Sequence, residues 1–339
     1  MSHTYALIDT ANTFFRARHV ASRNSDPWEK VGMALHLTLA SVNQAVKRFG
    51  IDHVVFCLEG KSFRKSIYPQ YKAHRAVAVQ AMTEEEQIEN KLFWDTYAEF
   101  TDNYLKTKTN CSVLRHPEAE ADDVIARFIH LHPNDTHYII STDSDYVQLI
   151  ANNVHQYNGV SNELIKLDGY YNDKDKLIID KKTNEPKLLE DPEYLLFKKI
   201  IRGDTSDNVF TAYPGVREVG SKNKVGIREA FADRHKQGFN YNTFMLQRWT
   251  DHDGKEVRVK DAYERNKTLI DLKAQPQDIK DKVDAMIKND VRSTTIPMAG
   301  IHLLKFCGKY ELKKIADNAE NYSKWLNSPY QGVLHEETT

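Results

Sequence analysis

Acidic side chains recur in this chain of 339 residues where short apolar runs end. Asp9 closes TYALID, Glu59 closes DHVVFCLE, EAEADD (118–123) follows NCSVLRH, and Asp143 and Asp145 follow HYII. A later loop adds Asp204 and Asp207. One aspartate after a strand is ordinarily a turn former or a helix N-cap, as Asp143 would be for a helix starting at Ser144. Glu118 or Glu120 would likewise be favourable charges in a first helical turn. The same habit in several stretches means more if the strands are parallel, because their ends then share the sheet edge at which α/β proteins bind ligands. Carboxylates gathered there raise one another's pKa, and a divalent cation is the counter-charge that keeps them ionised. Hard oxygen donors suit Mg²⁺ or Mn²⁺. Few histidines and no cysteine pair lie near these ends, which disfavours zinc. Two such ions can activate a water and stabilise the leaving oxygen in phosphodiester hydrolysis.

The elements that would position these groups follow from periodicity. TYALIDT (4–10), DHVVFCLE (52–59), NCSVLRH and THYIIST read as buried strands. Val31, Leu35, Leu39, Val42 and Val46 recur at helical spacing until Gly50, and Ala121, Val124, Ile125, Phe128 and Ile129 share one helical face. Strands alternating with helices predict an α/β fold around a mostly parallel sheet. Residues 61–110 interrupt it as a long insertion, helical in its second half, where Thr83 and Glu86 form a capping box. Further on, Asp191 as N-cap, Pro192 at the first helical position and Gly203 as stop signal mark another helix. The chain to about 290 reads as polar and helical, and 310–339 as a helix and a frayed tail.

Composition excludes little by charge: Lys+Arg (47) and Asp+Glu (48) leave a formal net charge of -1. Distribution says more. KSFRKSIYPQYKAHRAV carries Lys61, Arg64, Lys65, Lys72 and Arg75 with no acid, and a glycine-rich segment after 203 is also basic. Lys and Arg there would contact phosphates without reading sequence, and Phe63, Tyr68 and Tyr71 would suit stacking of unpaired bases. A solvated charged surface is the commoner fate of a charge run, but an insertion of this length in a compact domain is usually functional. Three scattered cysteines, Cys57, Cys111 and Cys307, form no disulfide framework or zinc motif. No signal peptide and no membrane span is read, so a cytoplasmic location is expected, with no membrane partner.

LIDTANTFFRAR, VVFCLEGKSFRKSIYPQYKAHR, EAEADDVIA, STDSDYVQL and IRGDTSDNV…YPGV…KVGI, in this order over residues 4–230, resemble the 5′-nuclease superfamily of flap endonucleases and 5′–3′ exonucleases. The bacteriophage replication members and the 5′-nuclease domain of bacterial DNA polymerase I are the similar branches; RNKTLIDL (265–272) is a weaker match. The resemblance implies a PIN-like α/β core over 1–190 with an arch at 61–110. It implies a helical DNA-binding part over 191–305, with a helix–three-turn–helix at 203–231, and then a C-terminal helix and tail (306–339). It implies a first metal site at Asp9, Glu59, Glu120 and Asp122, and a second served by Asp123, Asp143, Asp145, Asp204 and Asp207. Lys72 and Arg75 would contact the scissile phosphate beside Tyr71, with Arg64 and Lys65 on the same basic stretch. Gly215, Val216, Gly220, Lys222, Lys224 and Gly226 would hold duplex phosphates through the turn element, with a K⁺ ion. Glu59 stands where many members have Asp, and counting back from SFR puts Cys57 at the usual position. The turn element also carries the insertions FTA and REVGSKN.

The activity implied is metal-dependent cleavage near the 5′ end of DNA, or of RNA–DNA primers, at flaps, nicks or free ends; with no evident coiled coil or large apolar patch in the sequence, a monomer is expected. An aspartyl-nucleophile phosphatase would need a second aspartate two residues after Asp9, where Ala11 stands. A non-catalytic DNA-binding protein should have lost some of the carboxylates, and the series is nearly complete.

Overall fold

The computed structural model describes residues 2–16, 26–251 and 254–334. The end of the LIDTANTFFRAR stretch and residues 335–339 of the expected tail lie outside them. The chain packs as two compact units: 1–62, 82–189 and 278–339 form one, and 63–81 with 190–277 form the other.

The first unit is built on a seven-stranded sheet in the order β3-β2-β1-β4-β5-β6-β7. The four strands read from sequence are β1 (Thr4–Asp9), β2 (His53–Leu58), β3 (Ser112–Arg115) and β4 (Thr136–Ile140). With β5 (Val154–Asn158) they pair in parallel, while β6 (Glu163–Lys166) and β7 (Gly169–Tyr171) add an antiparallel edge. Every residue of β2 is buried, as a parallel strand covered on both faces requires. From β1 the chain steps outward to β2 and β3, then returns to β4 on the other side of β1. The topological switch point therefore falls between the ends of β1 and β4.

Helices cover the sheet because their apolar stripes have nowhere else to go. After α1 (Thr10–Phe15), α2 (Pro27–Phe49) buries Val31, Leu35, Leu39 and Val42. It stops at Gly50, whose φ of 63° and N–H bond to the Val46 carbonyl close the last turn in the left-handed conformation glycine favours. The capping box at Thr83 and Glu86 starts the helix Glu84–Ala98, which runs on as a π-helix over Glu99–Leu105 and buries Phe93, Tyr97, Phe100 and Tyr104. The expected helical face of Ala121–Leu131 is buried at Val124, Ile125 and Phe128. Near the end of the chain Leu303, Phe306, Ile315, Tyr322 and Trp325 enter the same core as Ile8, Leu39 and Phe56. Residues 299–326, read only as a helix and tail from 310, therefore hold three short helices that belong to the sheet unit.

In the second unit Tyr194, Phe197, Ile201, Ile227, Phe244 and Val259 form a helical core. A second cluster joins Tyr71 to Ile200, Val209, Leu269 and Ile270, which is why the basic stretch 63–81 folds with this unit. A two-stranded hairpin, Arg248–Thr250 with Glu256–Arg258, stands in a region read as helical. The strands are too short to show a period-2 pattern. Among the described residues no helix is long and apolar enough to cross a membrane.

Candidate metal centre and nucleic-acid contacts

β1 delivers Asp9 to the switch point. Its last residue pairs with Cys57 of β2, and the preceding Ile8 pairs with Ile140, the end of β4. Cys57 is fully buried beside Asp9 and carries a thiol in place of a carboxylate. Glu59, just past β2, is delivered by a tight crossing of two loops. The Gly60 N–H donates to the Ala119 carbonyl and the Lys61 N–H to the Pro117 carbonyl. A Cβ on Gly60 would lie 1.9 Å from the His116 carbonyl oxygen and 2.6 Å from that of Ala119. Glu59 Oε2 in turn accepts the Ala121 N–H at 3.2 Å, at the start of the helix that carries the other acids. Gly60→Ala should cost about 2–3 kcal/mol, because backbone rather than a flexible side chain must yield. A urea midpoint equal to the parent's would refute that crossing.

Ligand oxygens of Glu120, Asp122 and Asp123 lie within 4.8 Å of one another. Glu120 and Asp123 are buried and Asp122 is half-buried. Asp123 also caps its helix, Oδ2 accepting the Glu120 N–H at 3.0 Å. Glu118 faces away and pairs with Lys282. Asp143 caps the 3₁₀ turn Ser144–Leu149 through the Asp145 N–H at 2.9 Å, so the structural role open to it in sequence is realised.

Asp9, 6% exposed, is the centre of this edge. Oδ1 accepts the Asn12 N–H at 3.2 Å, and Oδ2 accepts the hydroxyls of Ser141 at 3.0 Å and Tyr146 at 3.1 Å. Burial pushes its pKa up to about 6; those donors pull the other way, and the charge of Asp143 adds to the rise. Burial first, then the charges of Asp9, Asp122, Glu59 and Asp143, push the Tyr146 phenol well up. One buried phenol thus feels carboxylates from β1, β2, the acidic helix and the loop after β4. A set of hard oxygens holding a half-desolvated negative charge fits a divalent cation. Ser141, Tyr146 and Asn12 escaped the sequence reading. Ser141 opens STDSD and Tyr146 follows it directly, but nothing local marks either as a partner of Asp9.

In the second unit the expected contacts sort into exposed and buried groups. Arg64, 1% exposed, donates from Nε to the Leu269 carbonyl at 2.8 Å and lies against the rings of Phe63 and Tyr71. It braces the basic stretch and offers no surface to a phosphate. Tyr71, 2% exposed, is equally unavailable for stacking, and Phe63 is buried. The apolar faces that could have met bases instead build the core beneath the stretch. Lys65 and Arg75 are exposed. Asp207 accepts from Tyr71 Oη at 2.9 Å and Arg75 at 2.9 Å, and Lys72 Nζ lies 3.6 Å away. Asp204 is paired with Lys199 at 2.8 Å; burial pushes its pKa up, but Lys199 and Ser206 outweigh that and leave it below the ordinary value.

The turn element lies between the helices Pro192–Arg202 and Ile227–Asp233. The N–H groups of Gly220 and Gly226, expected to face phosphates, donate instead to the carboxylate of Glu229 at 2.9–3.1 Å. A glutamate one turn into the following helix satisfies them from within. Lys222 and Lys224 are exposed on the tight turn closed by the Ser221–Lys224 bridge, which the REVGSKN insertion supplies. Gly215 is exposed with φ of 68°, and Val216 packs on the helical core.

Comparison with known proteins agrees with this fold. The structures of bacteriophage T5 flap endonuclease, one with metal ions and one with DNA and metal ions, match with a TM-score of 0.57 at 20% and 21% identity. Each match covers 84% of this chain and 98% of the other, and at that identity the likeness is one of fold. A 5′-3′ exonuclease of Mycoplasmopsis pulmonis is 24% identical over 226 residues, 66% of either chain. DNA polymerase I of Rhizobium leguminosarum is 25% identical over 186 residues, 53% of this chain. The chain spans only 15% of that polymerase's length and 34% of the Borreliella burgdorferi DNA polymerase I, which it matches over 98% of its own. The family model for the 5′-3′ exonuclease N-terminal resolvase-like domain matches residues 4–178. With its parallel sheet and acidic switch-point edge, this chain belongs to the 5′-3′ exonuclease, N-terminal resolvase-like domain family.

Proposed function

We propose that the protein is a divalent-metal-dependent, structure-specific 5′ nuclease, hydrolysing phosphodiesters near the 5′ end of DNA or RNA–DNA primers at flaps, nicks or free ends. The observation that carries the reading is the convergence of Asp9, Glu59, Asp122 and Asp143 around one buried phenol, with Glu120 grouped beside Asp122 and Asp123. Asp9, Glu59, Glu120 and Asp122 would hold a Mg²⁺ or Mn²⁺ ion, with Asp123, Asp143 and Asp145 as further carboxylates of the same unit. When bound, the ion supplies an activated water and charge stabilisation for the leaving oxygen. Asp9, held on both oxygens, presents a fixed acceptor, and the buried floor of Cys57 and Tyr146 keeps bulk water from beneath it. Lys72 and Arg75 supply positive charge to the substrate backbone, and Lys222 and Lys224 contact duplex phosphates. The protein would act as a monomer in the compartment that holds the DNA.

The test is cleavage of a labelled 5′-flap duplex with Mg²⁺, with Mn²⁺ and with excess chelator. Asp145→Asn should lower the rate on the order of a thousandfold or more, while the Kd for the flap stays within about threefold of the parent. Flap binding without cleavage in either metal would favour a non-catalytic DNA-binding role. Undiminished turnover of the variant would remove Asp145 from the mechanism.

A further inference from the structure

We propose that Tyr146, acting with Ser141, is a positioning residue for Asp9, fixing the orientation in which that carboxylate meets a divalent cation. This rests on the metal-centre reading above and adds to it a part that the carboxylates alone do not supply.

The argument begins with burial. Tyr146 is 1% exposed, so its ring is a packing group and a phenylalanine would serve as well if packing were all that mattered. A hydroxyl carried into the interior is costly unless it finds a partner. Its partner is Asp9 Oδ2 at 3.1 Å, reached across 137 residues of sequence. The Ser141 hydroxyl reaches the same oxygen at 3.0 Å, while its own oxygen accepts the Asp143 N–H at 3.1 Å. Oδ2 thus takes two O–H donors and Oδ1 takes the Asn12 N–H. Rotating the carboxylate would break all three bonds together.

Both donors come from the segment that carries the next pair of acids. Ser141 lies two residues before Asp143, and Tyr146 follows Asp145 directly. Asn12 ties the same segment to the first helix, its Oδ1 accepting from the Thr142 backbone at 3.2 Å and hydroxyl at 3.0 Å. The orientation of Asp9 is therefore set by the loop that presents Asp143 and Asp145, and the two halves of the acidic edge are mechanically joined. A carboxylate that accepts O–H donors can still offer its remaining lone pairs to an ion, and such outer partners typically tune metal affinity by about 10–100-fold.

The experiment is calorimetric titration of the full chain with Mn²⁺, for the parent, Tyr146→Phe, Ser141→Ala and the double variant. Tyr194→Phe, which loses a hydroxyl bond to Glu218 in the other unit, serves as control. Tyr146→Phe and Ser141→Ala should each weaken Mn²⁺ binding by about tenfold, and the control should not. In cleavage assays the Mn²⁺ concentration giving half-maximal rate should rise by the same factor, with kcat recovered at saturating metal; a general loss of structure would instead lower kcat. Should Tyr146→Phe fail to fold, Ser141→Ala decides, because it removes a donor from the same oxygen. Equal affinity in parent and variants would overturn the positioning role and leave the metal centre standing. No Mn²⁺ uptake by the parent would overturn the metal centre itself.

Discussion

Asp9→Asn should abolish metal-dependent cleavage and, in the absence of metal, make the protein more stable. The loss of activity, on the order of a thousandfold or more, follows from removing a charged group proposed to hold the ion at the centre of the acidic edge. The gain in stability follows from burial. In the folded chain the Asp9 carboxyl titrates at about 6 against an ordinary value of 3.8. Below pH 3.8 both folded and unfolded chains hold the proton, and ionisation costs nothing. Between 3.8 and 6 the unfolded chain releases it first, so folding loses free energy as pH rises. Above 6 the penalty is complete, about 3 kcal/mol for a shift of this size. Asparagine carries no charge, so its advantage should be present at pH 8 and absent near pH 4. It should be smaller than the full figure, because the Asn12 N–H loses an anionic acceptor. Chelator-treated samples compared by urea unfolding at both pH values measure it. A variant less stable than the parent at pH 8 would show that Asp9 is not under electrostatic strain.

Lys72→Ala should lower the cleavage rate by about a hundredfold while leaving Mn²⁺ affinity unchanged. Its Nζ and the Arg75 guanidinium both face Asp207 in the second unit, 3.6 Å and 2.9 Å away, so the pair is held together on an anion before substrate arrives. A phosphate would exchange for that carboxylate, and losing one of two cations should weaken charge stabilisation more than it weakens binding. The double variant Lys72→Ala/Arg75→Ala should be worse than either single one, but by less than the product of the two effects, because they share one anion. Single-turnover rates with saturating enzyme separate the effects on rate and binding. An unchanged rate with a raised Kd would make Lys72 a binding contact only.

The parallel strands were legible because full burial writes itself as unbroken apolar runs. β1 and β2 show it, while β4 buries His137, Ile139 and Ile140, and the observed strand order sets the switch point. The antiparallel edge was not, since VHQYN and ELIK mix polar and apolar residues without a run or a clean alternation. Carboxylates at strand ends were legible for the same reason as the strands. The hydroxyls that hold them were not, because a serine or tyrosine acquires its role only when a distant element arrives, and Asp9 and Tyr146 lie 137 residues apart. Charge misled at Arg64, where a basic run suggested solvent and the structure buries the guanidinium between aromatic rings. The amides of Gly220 and Gly226, which the resemblance gives to duplex phosphates, are met by the following helix through Glu229. A linear sequence shows which groups can bond, but not which partner reaches them first.

Anomalous diffraction from crystals grown with Mn²⁺ tests the metal centre most directly. A peak should lie among Asp9, Glu59, Glu120 and Asp122, at oxygen distances of about 2.0–2.3 Å. Crystals in which saturating Mn²⁺ leaves that edge without a peak, or places one only elsewhere on the chain, would contradict it.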